Sequence, residues 1–362
     1  MPDRVDCRIE SAPEGAVRVA FLHPFVQPAW DLLSAEPSLA RLPAAARQRL
    51  ADRVEILLGG HPIIDQAHPL LGGRVWMVHL LVPLGPTTFE DARRSDDRIP
   101  LIARIQEGVD RAAALGCSVV TLGASTSTVT QNGQSLLAPP GVRITSGNAL
   151  TAALGAARLR EAAAAAGVRD GWLGVLGATG NIGQALAQAL LGPGGWRRAV
   201  LVGRDRGRLE AIALPPADSA DVHLSTDVRD LSRCRVIVTV TATAEPLLFP
   251  EHLPSAGPVV IVDLAVPSPV SAAVWALPNV VRVPSAGWVP LPQDPDALPG
   301  AHVPRGTTFC CAAEGMLVAL HPRAVSDVSL VGELTPAALV AVERLARLEG
   351  LWPAGPEPRG AP

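Results

Sequence analysis

The chain has 362 residues, of which 48% are hydrophobic and 18% charged, and its formal net charge is −3. That composition buries a sizeable core and lies outside the disordered class, and the length exceeds what one ordinary core covers, so two or three domains are expected. There is no tyrosine and no lysine, all 31 basic residues being arginine, which excludes Schiff-base lysine chemistry, P-loop lysines and Tyr/Lys proton-transfer pairs.

The cysteines Cys7, Cys117, Cys234, Cys310 and Cys311 are an odd number without Cys-x-x-Cys spacing, and the start MPDRVDCRIE has no apolar secretory core. A reducing, cytoplasmic compartment is expected. No run reaches the roughly 18 apolar residues of a membrane span, and the longest Ala-rich stretch is interrupted by Arg158, Arg160 and Glu161. Near-neutral charge gives no global reason for a nucleic-acid partner. The histidines are scattered without metal-ligand spacing, so no metal site is expected.

Along the chain, VRVAFLHPFV, VEILLGGHPII and RVWMVHLLVPLG read as strands separated by turns or short helices, in an N-terminal α/β domain over residues 1–145. The pattern turns helical from Thr88 to Gly116, and SVVTLG reads as a buried strand entering the polar loop ASTSTVTQNGQ. Thr145, Ser146 and Asn148 mark the start of a long helix that Gly167 ends. Next, GWLGVLG, AVLVGRD, CRVIVTVTATA, PVVIVDLAVP and NVVRVPS alternate with helical or loop segments at βαβ spacing. Residues 146–300 therefore read as a Rossmann-like domain. A C-terminal helical segment over 301–352 contains TTFCCAAEGMLVALHP and an amphipathic helix in TPAALVAVERLARLEGLW, and 353–362 is a Pro/Gly tail expected to be disordered.

Gly177-Ala178-Thr179-Gly180-Asn181-Ile182-Gly183 follows an apolar strand and opens a helix, the context in which a glycine spacing signifies a dinucleotide site. One glycine makes the turn, one admits the pyrophosphate to backbone N–H groups and one allows close helix–strand contact, with the helix N-terminus facing the phosphates. Thr241 and Ala242, in VTVTATA, are placed with this site. The second strand ends in Arg204 with no carboxylate at Val202 or Gly203 to take a ribose 2′-OH. Arg204, helped by Arg206 or Arg208, instead suits a 2′-phosphate, so NADPH is expected; a solvated turn is the alternative.

Cys310 and Cys311 lie near a helix start if Thr307 or Thr308 is its cap, where the dipole lowers a thiol pKa. Adjacent helical residues diverge by about 100°, so only one of the two thiols faces a given cleft. A core role for both is the competing reading, and Cys7, Cys117 and Cys234 read as structural.

Three ordered segments within roughly residues 110–320 resemble the aldehyde-forming long-chain fatty acyl-ACP reductases. They are Leu122-Gly123-Ala124-Ser125-Thr126-Ser127 running to Asn132; Thr145-Ser146-Gly147-Asn148-Ala149-Leu150; and Phe309-Cys310-Cys311-Ala312-Ala313-Glu314. The resemblance implies a nucleophile at Cys311, not Cys310. Ser125, Val129, Thr130 and Leu150 depart from the family pattern, and the lost apolar lining bears on acyl length more than on reaction type. VIVTVTATAEPLL and VVIVDLAVPSPV are similar to the Rossmann core of glutamyl-tRNA reductases and shikimate dehydrogenases. The former carry their cysteine in an N-terminal motif that has no match around Cys7.

The resemblance implies an NADPH-dependent reductase that converts an acyl-ACP or acyl-CoA thioester to an aldehyde through a cysteine thioester. Backbone N–H groups at the Cys311 helix start, or Ser127, Asn132 and Asn148, are the oxyanion donors in this scheme. His302 and His321 are general-acid candidates by sequence proximity alone, and Arg197 and Arg198 are candidates for docking an acidic carrier protein. The alternatives are a dehydrogenase without a covalent step, which lacks Lys or Tyr as proton donor, and a non-catalytic NADP-binding protein.

Overall fold

The computed structural model describes residues 9–25, 37–192, 194–214, 216, 220–241, 243, 245–283, 287–297 and 303–353. The chain divides into two compact units, Met1–Gly147 with Trp288–Glu333 and Arg344–Leu351, and Asn148–Gly287 with Leu334–Glu343 and Trp352–Pro362. Cys7, His302 and residues 354–362 of the tail lie outside the described residues.

The first unit is built on strands β1 (Val17–Pro24), β2 (Ile63–Leu70), β3 (Val75–Val82), β4 (Val119–Leu122) and β5 (Arg143–Thr145), in the order β2-β3-β1-β4-β5. All neighbours are parallel except the β2/β3 pair. All eight residues of β3 are buried, as an apolar run covered on both faces requires. The VEILL stretch, expected as a strand, ends a helix over Ala44–Leu58 instead. The helical stretch from Thr88 to Gly116 is two helices, Pro86–Ser95 and Ile99–Ala114, interrupted at Asp96, whose φ is +55°. Leu101, Ile105, Val109 and Ala112 make the buried stripe of the second, which joins Leu22, Val78 and Leu80 in one core. The polar loop after β4 opens with a short helix, Ser125–Val129.

The second unit carries six strands, β6 (Trp172–Leu176), β7 (Arg198–Val202), β8 (Asp221–Ser225), β9 (Cys234–Thr239), β10 (Val259–Asp263) and β11 (Val280–Val283). Their order is β11-β10-β9-β6-β7-β8 and every pairing is parallel. Five follow the apolar runs read from sequence, while β8, DVHLS, is too polar to stand out from its surroundings. Side chains alternate between two cores: Leu173, Val175, Ala199 and Leu201 join helices Asn148–Ala165 and Asn181–Leu190 on one face, and Leu176, Val200 and Val202 join Leu231, Ile237 and Ile261 on the other. This is the doubly wound Rossmann order, which reverses between β6 and β9.

Back in the first unit, β12 (Trp288–Pro290) and β13 (Thr307–Phe309) form an antiparallel ribbon with Trp288 opposite Phe309. The chain runs from β13 directly into the helix Cys310–Leu320. That helix lies on the sheet at Val19 and Thr121, where a side chain on Gly315 would be 2.7 Å from Thr121 Cγ2. Glu349 closes the unit by accepting two bonds from Arg74, at 2.7 and 3.2 Å, and meeting His321 Nε2 at 2.6 Å. Among the described residues no helix is long and apolar enough to cross a membrane.

Candidate active site

In the second unit, β6 ends at Leu176 and residues 177–180 turn into the helix Asn181–Leu190, whose N-cap, Gly180, supplies no side chain. Gly177 has φ +97°, and a Cβ there would lie 2.9 Å from Thr241 Cβ and 3.0 Å from Thr241 N. A Cβ at Gly183 would come within 2.3 Å of Gly177 O. Both positions demand glycine because strand, turn and helix converge at the point where the strand order reverses, leaving the helix N-terminus beside the turn. These residues therefore fit a dinucleotide.

The remaining cofactor candidates fall around the turn. Ala178 is fully buried and Ile182 packs on the core. Thr179 O accepts Gln184 Nε2 at 3.1 Å and Arg208 Nη2 at 2.9 Å, while Asn181 Oδ1 accepts the Leu334 N–H at 3.2 Å. Thr241 adjoins Gly177; Ala242 lies outside the described residues. Arg204 is exposed just beyond β7, and Asp205 caps the next short helix by accepting the Arg208 N–H. Sequence reasoning missed Asp263, at the end of β10, which accepts bonds from Thr239 Oγ1 (2.5 Å), the Ala265 N–H (3.1 Å) and the Ser268 hydroxyl. Burial pushes its carboxyl up. The only trace of it in the sequence is an acid that ends an apolar strand and is followed by a Pro/Ser turn.

In the first unit, Cys311 is the second residue of its helix. Neither Thr307 nor Thr308 caps that helix, contrary to the sequence reading: both belong to β13, Thr307 Oγ1 donates to Pro304 O, and Phe309 stands at the N-cap. Cys310 is buried and Cys311 half-buried. Thr121 Oγ1 donates to the Cys311 carbonyl at 2.6 Å. Gly147, at φ +73°, brings its backbone so close that a Cβ would be 2.4 Å from Cys311 Cβ and 2.6 Å from Leu122 O.

Glu314, one turn beyond Cys311 and fully buried, accepts the Gly147 N–H at 3.1 Å and the Thr145 hydroxyl on the same oxygen. The sequence marks Glu314 only as a lone acid in the apolar helix CCAAEGMLVAL. Its function becomes readable once Thr145 and Gly147 are brought to it from β5 and the turn that follows.

The expectation of a lowered thiol pKa is overturned. Burial pushes Cys311 up to about 12, with the Ala312 N–H opposing and the Glu314 charge adding to the rise. Cys310 is raised further, again by burial first. Desolvation disfavours a thiolate more than the helix start favours it. Cys117 and Cys234 are likewise buried and pushed to about 12.

Of the polar candidates, Ser127 is buried in the short helix after β4, and its carbonyl accepts the Asn132 N–H at 2.8 Å. Asn132 has φ +56°, and its carbonyl accepts the Gly332 N–H. Asn148 is the first residue of the helix that opens the second unit. Thr145, read from sequence as a helix cap, is a strand residue bound to Glu314. His321 is engaged by Glu349. Arg197 and Arg198 are exposed, with Arg198 donating to Asp170 O at 3.0 Å and lying over the Trp172 ring.

Residues 162–283 match the family model described as shikimate / quinate 5-dehydrogenase. That match takes in all six strands of the NAD(P)-binding Rossmann sheet, Trp172 to Val283. The domain is of the kind that NAD(P)-dependent dehydrogenases and reductases carry. Among solved structures, the chain is similar to glutamyl-tRNA reductase from Methanopyrus kandleri, at 21% identity over 50% of this chain and 45% of that one, with a TM-score of 0.28. The chain thus spans less than half the length of that protein. It is also similar to D-lactate dehydrogenase from Lactobacillus jensenii, at 12% identity over 92% and 94% of the two chains, with a TM-score of 0.26. A D-isomer specific 2-hydroxyacid dehydrogenase from Lactobacillus delbrueckii ssp. bulgaricus matches at 11% identity over 95% and 99%, with a TM-score of 0.23.

Proposed function

We propose that the protein is an NADPH-dependent reductase that converts an acyl thioester, on an acyl carrier protein or coenzyme A, to an aldehyde through Cys311. The observation that carries this reading is the contact of Cys311 with Gly147, whose N–H is held by Glu314. A buried carboxylate and a left-handed glycine hold the backbone of the turn against Cys311 Cα and Cβ, an arrangement that a plain core cysteine does not need.

In the proposed cycle Cys311 loses its proton and its sulfur attacks the acyl carbonyl. The bond to the carrier sulfur breaks, and the departing thiolate takes a proton. Residues 177–183 of the glycine turn would hold NADPH, which would supply the hydride that reduces the acyl carbon. The resulting hemithioacetal anion on Cys311 collapses, releasing the aldehyde and the Cys311 thiolate, which takes a proton from solvent to restore the thiol. Covalent capture divides one difficult step into two. Oxyanion donors are the first-turn N–H groups around Ala312, or Ser127, Asn132 and Asn148, each worth about 3 kcal/mol when well placed. The Ala312 N–H already favours the charged sulfur. Arg204, with no acid at Val202 or Gly203, supports NADPH over NADH, and Arg197 and Arg198 are candidates for meeting an acidic carrier.

The raised Cys311 pKa favours a second reading, a dehydrogenase acting on an alcohol or ketone with no covalent step. Intact mass spectrometry after incubation with acyl-ACP and acyl-CoA thioesters, without NADPH, separates the two. The proposed mechanism gives an acyl adduct that disappears in Cys311→Ala and persists in Cys310→Ala. No adduct from any thioester, with NADPH still bound, supports the direct dehydrogenase or a non-catalytic binder.

A further inference from the structure

Three histidines and a glutamine meet on the sheet face of the first unit that also carries the Cys311 helix. His23 lies on β1, His79 on β3, and Gln66 and His68 on β2; Phe21 pairs with His79 in the register, and so does Gln66. The ring of His79 is 5.8 Å from that of His23, 5.4 Å from that of His68 and 5.5 Å from that of Phe21. Phe21 is 6.3 Å from Phe309, the residue that leads into Cys310 and Cys311. The cluster therefore lies one aromatic ring away from the start of the nucleophile's helix.

Four of the cluster's polar atoms are left without partners, while His23 Nδ1 meets Pro24 O at 3.3 Å. Nε2 of His23, His68 and His79 and the amide nitrogen of Gln66 are buried and make no hydrogen bond. His79 and Gln66 are each 3% exposed, while His23 and His68 are half-buried and form its outer side. Buried polar groups are normally paired, so four such atoms together call for a ligand that pairs them. A metal ion is not that ligand, since no three His, Cys, Asp or Glu among the described residues are disposed to hold one. Burial keeps the His79 imidazole well below its ordinary pKa and lowers that of His68, favouring the neutral form of both rings. Each neutral ring offers one N–H donor and one lone pair. Glu10 and Asp294 act on His68 as negative charges, which disfavours a carboxylate ligand. A neutral group that both donates and accepts is the match, and a hydroxyl does both.

We propose that the His23–Gln66–His68–His79 cluster is the acyl subsite, and that it takes an acyl group bearing a hydroxyl rather than a plain alkyl chain. The inference rests on the thioester reading above for the route by which an acyl group arrives.

The test uses the full chain carrying Cys311→Ala, so that binding is read without acylation. Calorimetric titration compares coenzyme A thioesters matched in length and differing by one hydroxyl, at C3 or at the chain end. A site built to bond a hydroxyl rejects the analogue lacking it strongly, so one hydroxylated member of a pair is expected to bind on the order of a hundredfold more tightly. Adding His79→Phe removes that advantage and raises the melting temperature, because an unpaired buried polar group is replaced by an apolar one. His23→Phe carries the same comparison if the His79 variant does not fold. Equal binding within every pair, unchanged by either substitution, overturns the proposal. Mass spectrometry of the chain with Cys311 intact keeps the two readings apart. Selective binding without any acyl adduct upholds the subsite and removes the reductase; adducts formed at equal rates from both members of every pair uphold the reductase and remove the subsite.

Discussion

The Gly147 N–H donates to Glu314 Oε1 across 3.1 Å, joining the turn after β5 to a helix 167 positions later in the chain. Both ends of the bond are held: Thr145 donates to the same oxygen, and the Gly147 backbone rests on Cys311. Glu314→Gln keeps the size but replaces one acceptor by a donor, and is expected to destabilise the first unit by about 1–3 kcal/mol. Urea unfolding gives the loss, and intact mass spectrometry is expected to show slowed acylation while NADPH titration of the second unit is unchanged.

Gly147→Ala is a sharper version of the same experiment. The added methyl group would lie 2.4 Å from Cys311 Cβ, and φ +73° is unfavourable for alanine. Strain and overpacking each cost about 1–3 kcal/mol. The expected outcome is a protein that still binds NADPH and forms no acyl adduct; adduct formation at the original rate counts against the assigned contact.

The thiols set an alkaline limit. Cys117, Cys234 and Cys311 are pushed from 9.0 to about 12 by burial, and Cys310 is raised too. A folded pKa above the unfolded one means that the stabilisation is complete below 9 and is lost as pH rises toward about 12. Urea midpoints are therefore expected to fall from pH 8 to pH 10, and to fall less in Cys234→Ala. Alkylation of Cys311 by iodoacetamide is expected to accelerate about tenfold per pH unit over the same range, as the thiolate fraction grows.

At the acid end Glu349 governs. Its hydrogen bonds from Arg74, then from His321, hold its carboxyl below the ordinary carboxylate value. Its contribution is present above the unfolded value near 4.5 and is lost as pH falls through the lowered one. The Arg74 side chain is 49% exposed, so screening moderates the effect. Glu349→Gln is expected to cost about 1–3 kcal/mol at pH 7 and little at pH 3, measured by thermal melts at both.

Cofactor preference is tested at Arg204. Arg204→Leu is expected to weaken NADPH about tenfold and leave NADH unchanged, because only the former carries the 2′-phosphate. Gly183→Ala, with a Cβ 2.3 Å from Gly177 O, is expected to abolish both. Fluorescence titration of each nucleotide reads the two outcomes.

The Rossmann unit was legible because its determinants are local. A strand, a glycine turn and a helix follow one another between Trp172 and Leu190, and four more apolar runs repeat the spacing. What escaped reading depends on residues far apart in sequence. Thr307–Phe309 resembles a helix start by itself and becomes a strand because Trp288–Pro290 pairs with it. Glu314 has no readable function until Thr145 and Gly147 arrive, and the Cys311 pKa follows from the burial of the thiol, which no neighbouring residue type encodes.

The first unit is assembled from three stretches of chain, Met1–Gly147, Trp288–Glu333 and Arg344–Leu351, with most of the Rossmann unit encoded between the first two. Synthesis from the N-terminus therefore delivers every strand of the five- and six-stranded sheets before the ribosome has made residue 310. Cys311 follows, on the helix that lies against Val19 and Thr121, and Glu349 fastens Arg74 after it. A nascent chain thus carries every strand of its Rossmann sheet well before it carries Cys311.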